Sequence, residues 1–320
     1  MNCNALYVIS SFNYRATIMK RYFAISLFLF LGIQMYAEEK MITTTDGVRL
    51  FVNVKGSGTP VLYLHGGPGS GSYWLEKFFG EFMEAHYTMI YLDQRGVGRS
   101  SGDRNTNYSL DRMLLDFEEI RKELGYKNWL TMGHSFGGIL QMAYVTQFPE
   151  SVKGMIMVNC TLNISESLCE SWGPKAAEFT GKPTIPCPQD VAELNTVFSY
   201  HINNLREANA FWKMAYKDPE NEKIMDATFG EINNWNGSFS SIALSMPDYW
   251  NDYRKLSKNV QVPVLFFHGS QDWMVGPDHY KNIEFPRAMM WESEVGHMPF
   301  MEAKADLEKA ILTFKDHYKF

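Results

Sequence analysis

Hydrophobic and polar positions alternate between two spacings along most of the chain, and this alternation predicts strands and helices in turn. Compact apolar runs with turn residues at their ends predict six strands: PVLYLHGG, YTMIYLDQ, KNWLTMGHS, VKGMIMVNC, VPVLFFHGS and RAMMWESEVGH. The segment MITTTDGVRLFVNVKG predicts two further strands joined at the Asp46-Gly47 turn. The pattern therefore predicts eight strands.

Apolar residues at helical spacing lie between these runs. They predict helices over 74–85, over 109–125 and over the segment GGILQMAYVTQ, and a final amphipathic helix over 302–317. Ser109 is the expected N-cap of the second helix, and Gly125 is its expected stop. Strands that alternate with helices predict an α/β fold with a mostly parallel sheet covered on both faces.

The alternation stops in one long segment. Residues 162–258 are polar, aromatic and helix-leaning, and they contain no clear buried-strand run. We therefore expect a helical cap over 162–258, inserted into a core that is formed by residues 38–161 and 259–320.

The amino terminus has a different pattern from the rest. A basic pair follows Met19, and an apolar run from Tyr22 to Ile33 precedes the small residue Ala37. This order predicts a signal peptide over residues 1–37 with translation starting at Met19, and a secreted or periplasmic protein without stable membrane association after cleavage. An uncleaved anchor is the alternative, although the run is short for a membrane span.

Composition and charge narrow the function classes. The 320 residues are 45% hydrophobic, which is enough for a large core, and the net charge of −6 is spread without basic blocks. This distribution argues against nucleic-acid binding. Cys160 ends a buried strand, so Cys169 and Cys187 are the expected disulfide pair in an exported chain.

Five loops that follow predicted strands carry unusual residues, and carboxyl ends of parallel strands share one rim of a sheet. Ser135 lies in Gly-His-Ser-Phe-Gly between a strand and a helix, the arrangement of a nucleophile elbow. A serine nucleophile needs a base and an orienting acid. His297 and Asp272 follow the last two strands, so the chain order is nucleophile, acid, base.

The segment HGGPG at 65–69 predicts a backbone donor for a developing oxyanion. We assign one donor to the amide of Gly67, with Gly66 as a substitute, and the other to the amide of Phe136. The segment lacks the Lys-Ser/Thr ending of a phosphate loop, and the histidine spacing fits no metal site. We expect no metal and no cofactor.

The motifs HGGPG, DQRGVGRS, GHSFGG, HGSQD and GHMPF, in this order, resemble the α/β-hydrolase superfamily and its proline iminopeptidase branch. The resemblance covers residues 40–160 and 262–317. It implies an eight-stranded sheet, a helical cap, no cofactor and release of amino-terminal residues, especially proline, from small peptides. It also implies that Ser135, Asp272 and His297 are the nucleophile, acid and base.

The substrate remains open at this stage. That branch binds the substrate amine with acidic residues in or near the cap, and Trp273 stands where some members have glutamate. Glu207, Glu222 and Glu231 are the cap residues that could bind the amine instead. A carboxylesterase or lactonase with an apolar cap pocket is the first alternative, and a non-catalytic binding protein on the same fold is the second. The oligomeric state is not indicated.

Overall fold

The computed structural model describes residues 38–188 and 190–320, and its centre is one eight-stranded sheet. The strand order across the sheet is β1-β2-β4-β3-β5-β6-β7-β8. The strands are β1 (Glu38–Thr43), β2 (Arg49–Gly56), β3 (Pro60–Leu64), β4 (Thr88–Leu92), β5 (Trp129–His134), β6 (Val152–Val158), β7 (Val264–Gly269) and β8 (Ala288–Ser293). The predicted eight-stranded, mostly parallel α/β sheet is confirmed.

The first two strand pairs at one edge of the sheet are antiparallel, and the remaining neighbouring pairs are parallel. β1 pairs antiparallel with β2, and β2 pairs antiparallel with β4. From β4 through β3, β5, β6 and β7 to β8, every pair is parallel. The loops that follow β3, β5, β7 and β8 therefore leave the sheet at one rim, as the sequence predicts.

Helices cover the sheet on both faces. The helices are α1 (Tyr73–His86), α2 (Leu110–Glu123), α3 (Gly137–Gln147), α4 (Ile164–Glu166), α5 (Gly173–Thr180), α6 (Val191–Glu207), α7 (Pro219–Phe229), α8 (Pro299–Glu302) and α9 (Lys304–Tyr318). One apolar core lies between α2, α3 and one face of the sheet, and a second lies between α1, α9 and the other face. Among the described helices, none combines the length and the apolar character that a membrane span requires.

Shorter helical turns complete the secondary structure. A π-helical turn spans Ser167–Trp172. The 3-10 turns are Pro149–Ser151, Phe211–Met214, Ala243–Ser245, Pro247–Trp250, Arg254–Asn259 and His279–Asn282. The expected final helix over 302–317 is α9, and the short helix α8 precedes it, separated by the non-helical backbone of Ala303.

The described residues between β6 and β7 form helices, turns and loops that lie against the loops of the core. Asn236 and Gly98 exchange two backbone hydrogen bonds of 2.9 Å, and the Phe239 amide donates to the Gly96 carbonyl at 3.0 Å. Cys169 and Cys187 form a disulfide within this segment, as expected, and Cys160 is a buried free thiol. The domain boundaries at 161/162 and 258/259 stay a prediction.

The loop after β4 is held by buried ion pairs. Asp93 accepts hydrogen bonds from the Ser72 amide and hydroxyl at 2.8 Å and from Arg99 Nε at 2.7 Å. Arg95, which is fully buried, donates from two nitrogens to the carboxylate of Asp116, each at 2.6 Å. These contacts hold the loop after β4 in place at the rim of the sheet.

We expect the free energy of unfolding to fall at low pH, partly because the Glu118 carboxylate becomes protonated. Burial raises the pKa of Glu118, but hydrogen bonds from Arg121, Ser151 and Tyr144 outweigh burial and lower the pKa to about 2 from the ordinary 4.5. A lowered folded-state pKa stabilises the protein above pH 4.5, and this stabilisation is lost as pH falls towards 2. The loss is on the order of 3 kcal/mol, and urea unfolding at several pH values measures it.

The matched variants are Glu118→Gln and Glu123→Gln, which lie on the same helix. Glu123 is exposed, so its replacement leaves the pH dependence of the unfolding free energy unchanged. Glu118→Gln removes the titrating group, and the unfolding free energy then changes less between pH 4.5 and 2. An equal acid dependence in Glu118→Gln and the wild type would contradict this assignment.

Candidate active site

Ser135 lies at the sharp turn between β5 and α3. Its φ of 55° is in the left-handed region, which a non-glycine residue seldom adopts. The turn is held on both sides: the Ser135 amide donates to the Asn159 carbonyl at 3.1 Å, and the Ser135 carbonyl accepts from the Thr161 and Gly138 amides at 3.1 and 3.0 Å. A strained residue that is fixed in this way is typical of a functional position.

The HGGPG loop packs directly against this turn. A Cβ atom at Gly66 would lie 2.8 Å from both the His134 carbonyl oxygen and the Ser135 Cβ, so only glycine permits the approach. Within the described residues, neither the Gly67 amide nor the Phe136 amide donates a hydrogen bond. The oxyanion role assigned to these two amides from the sequence stays a prediction.

Asp272 follows β7 and is 2% exposed. Its Oδ1 accepts hydrogen bonds from the Met274 and Val275 amides at 2.9 and 3.1 Å. Its Oδ2 lies 2.9 Å from Nδ1 of His297. The backbone amides thus orient the carboxylate, and the second oxygen is directed at the histidine.

His297 follows β8 and is 4% exposed. Because its Nδ1 faces a carboxylate oxygen, Nδ1 carries the proton and Nε2 is left as the basic nitrogen. The His297 amide donates to the Ala215 carbonyl at 2.7 Å, so the segment between β6 and β7 contacts the histidine backbone directly.

His134 connects the serine turn with the histidine loop. Its Nε2 lies 2.9 Å from the His297 carbonyl oxygen, and the centroids of the two rings are 4.4 Å apart. Burial, with a smaller contribution from His297, lowers the pKa of His134 well below its ordinary value, so its ring is neutral. Within the described residues, Ser135 Oγ and His297 Nε2 form no hydrogen bond, and the two residues are linked through His134.

The candidate substrate-binding residues divide into two groups. Gly66 lies against Ser135, whereas the other three lie elsewhere. The Trp273 ring lies under Lys175 Nζ at 4.1 Å and lines a cavity of about 1000 Å³ whose lining does not include Ser135, Asp272 or His297. Glu231 accepts a hydrogen bond from Tyr73 at 2.6 Å and also binds Lys77, and Glu207 is exposed at the end of α6.

Sequence reasoning missed two residues at this rim. Ala215 holds the His297 amide through its carbonyl, and no sequence signal indicates a backbone contact of this kind. Asn159 follows β6 and binds both the loop before Asp272 and the loop before His297. The sequence does contain a signal for Asn159, which is a polar residue directly after a buried apolar strand.

Comparison with known proteins identifies the fold family and related enzymes. A family model described as alpha/beta hydrolase fold matches residues 59–304. A proline iminopeptidase of Saccharolobus solfataricus is 27% identical over 278 residues, which are 82% of this chain and 86% of that protein.

Two solved structures share the fold. A proline iminopeptidase-related protein from Thermus thermophilus has a TM-score of 0.72 at 21% identity, over 88% of this chain and 98% of that one. An esterase from Exiguobacterium antarcticum has a TM-score of 0.66 at 20% identity, over 88% of this chain and 100% of that one.

The comparisons correct the predicted location of the protein. The expectation of a secreted or periplasmic protein is wrong, because the relatives that the chain matches are proline iminopeptidases. The expected signal peptide over residues 1–37 lies outside the described residues.

Proposed function

The chain belongs to the α/β-hydrolase fold family, and from that premise we propose that it is a serine hydrolase that forms an acyl-enzyme on Ser135. The observation that carries the proposal is the buried His297–Asp272 hydrogen bond of 2.9 Å, whose histidine contacts His134, the residue before the strained, half-buried Ser135. A histidine oriented by a carboxylate, together with a serine at a strained strand-to-helix turn, is the combination that serine activation needs.

In the first half of the reaction, His297 Nε2 takes the hydroxyl proton while Ser135 Oγ attacks the substrate carbonyl carbon. The amides of Gly67 and Phe136 donate hydrogen bonds to the oxyanion that develops. His297 then gives its proton to the leaving group, and the bond between carbonyl carbon and leaving group breaks. Asp272 stabilises the imidazolium that forms between these two steps.

In the second half, water replaces the leaving group. His297 takes a proton from the water molecule as its oxygen attacks the acyl carbon. The tetrahedral intermediate collapses, Ser135 Oγ regains its proton from His297, and the carboxylic acid product leaves. One molecule of water is consumed in each turnover, and the enzyme returns to its starting state.

The proposed substrate is a small peptide with a free amino terminus, with proline as the first residue tested. The support for this choice is the likeness to a proline iminopeptidase over 82% of this chain and 86% of that protein. Glu207 and Glu231 stay candidate partners for the substrate amine, and Trp273 and Gly66 stay candidate contacts of the substrate.

A carboxylic ester or lactone is the second candidate substrate, and one contact favours it. The Glu231 carboxylate is already bound to Tyr73 and Lys77, so a substrate amine would compete with a lysine for it. The Phe136 ring lies 5.4 Å from the Tyr249 ring and 6.3 Å from the Phe239 ring, so the residue after Ser135 belongs to a buried apolar aromatic cluster.

Turnover of matched substrates tests the proposal. We expect prolyl 4-nitroanilide to be cleaved and its N-acetyl derivative to be cleaved at least about 10²-fold more slowly, because an aminopeptidase uses the free amine for binding and orientation. Short-chain 4-nitrophenyl esters and a γ-lactone complete the panel. Cleavage of the esters with no cleavage of either anilide would contradict the peptidase proposal and favour the second candidate.

A further inference from the structure

Asn159 occupies a central place among the three candidate catalytic loops. It follows β6, which lies in the sheet between β5, the strand of Ser135, and β7, the strand that leads to Asp272. It is 2% exposed and has a left-handed backbone with φ 47°. Its amide donates to the Phe267 carbonyl at 2.9 Å, and its carbonyl accepts from the Ser135 amide.

The side chain of Asn159 joins two loops that are distant in the sequence. Its Oδ1 accepts a hydrogen bond from the Gly269 amide at 2.9 Å, and its Nδ2 donates to the Gly296 carbonyl at 2.8 Å. Gly269 also accepts from the Asp272 amide at 3.2 Å, and Gly296 is bonded covalently to His297. One amide group therefore contacts the backbone on both sides of the Asp272–His297 hydrogen bond.

Only a side-chain amide of this length makes both contacts. The site needs one donor and one acceptor on a short, planar group, and asparagine supplies both. Aspartate would keep the acceptor for Gly269 but would place an anionic oxygen against the Gly296 carbonyl. Glycine would keep the left-handed backbone without strain and would remove both contacts.

We propose that Asn159 is a positioning residue that sets the separation of Asp272 and His297 by fixing their loops to each other and to the Ser135 turn. This inference rests on the proposed serine hydrolase function. Asn159 acts through the two loop backbones and does not contact the substrate. Loss of the Asn159 side chain leaves Ser135, Asp272 and His297 themselves unchanged. The loops that carry Asp272 and His297 are then no longer held to each other and move independently.

We expect the loss of Asn159 to slow the chemical step and to leave substrate binding nearly unchanged. A displacement of about 1 Å between reacting groups lowers a rate by about 10²-fold, whereas substrate binding depends on other surfaces. We therefore expect Asn159→Gly to lower kcat by about 10- to 100-fold and to leave KM within about 2-fold of the wild type.

The experiment compares Asn159→Gly, Asn159→Asp and Asn209→Gly in the full chain. Asn209 is also left-handed, with φ 49°, but it is exposed beyond α6, so its variant controls for the backbone change. A fluorophosphonate probe gives two readouts: the final labelled fraction measures how much protein is folded and competent, and the labelling rate measures activation of Ser135. Kinetics with the preferred substrate of the panel give kcat and KM.

The inference predicts complete but slow labelling of Asn159→Gly and Asn159→Asp, with wild-type rates for Asn209→Gly. Wild-type labelling rates in Asn159→Gly, or a slow rate explained entirely by a smaller labelled fraction, would overturn it. In a second readout, the low-field proton resonance of the His297–Asp272 hydrogen bond should weaken or vanish in Asn159→Gly. An unlabelled wild-type protein would instead overturn the proposed function, and the positioning role with it.

Discussion

Replacing Ser135 by alanine is expected to lower kcat by roughly 10⁴- to 10⁶-fold while the protein stays folded. In the proposed reaction the Ser135 hydroxyl becomes covalently bound to the acyl group, and Phe136, the other residue of the turn between β5 and α3, carries no nucleophile. The change removes a single oxygen atom from a half-buried residue whose backbone is held by its neighbours. Steady-state turnover of the preferred substrate measures the effect.

Ser241→Ala is the matched control for this loss. Ser241 is exposed, and its hydroxyl donates only to the nearby Ser238 carbonyl at 2.8 Å. We expect its kcat and thermal midpoint to equal those of the wild type. A Ser135→Ala enzyme that kept more than about a tenth of the wild-type kcat would show that another group is the nucleophile.

Replacing Arg95 by methionine is expected to cost about 3–5 kcal/mol of unfolding free energy, because it leaves a buried carboxylate without its main partner. The Arg95 guanidinium donates to Asp116 from two nitrogens and to Asp46 at 2.8 Å. Burial opposes the charge on Arg95, but these carboxylates outweigh burial, so the pKa of Arg95 lies above its ordinary value. The midpoint and slope of urea unfolding give the free energy.

The control for this stability loss is an exposed ion pair. Lys223 and Glu220 lie 2.9 Å apart on α7 with mostly exposed side chains, so Lys223→Met should leave the unfolding midpoint near that of the wild type. If Arg95→Met unfolded at the same urea concentration as Lys223→Met, the buried network would not support the fold in the way proposed.

The fold was predictable because its central strands are buried on both faces. A central strand in a parallel sheet is apolar along its whole length, so runs such as VLFFHG in β7 stand out in the sequence. Turn residues then mark where each strand ends, and those ends carry Ser135, Asp272 and His297. These residues are expected at one rim because the carboxyl ends of parallel strands lie at the same edge of a sheet.

The details that sequence reasoning missed depend on contacts between distant residues. The Asn159 side chain bonds Gly269 and Gly296, which lie 110 and 137 residues away, and no local pattern encodes either partner. Ala215 contributes only a backbone carbonyl to His297, which any residue type could supply.

The measurement that tests the central claim most directly is the site of covalent modification by a fluorophosphonate probe. We expect one adduct per chain in the folded wild-type protein, located by peptide mass spectrometry on Ser135 and missing from Ser135→Ala. A folded wild-type protein that acquires no adduct, or acquires it on another residue, would contradict the claim that Ser135, His297 and Asp272 act together as a nucleophile, its base and its acid.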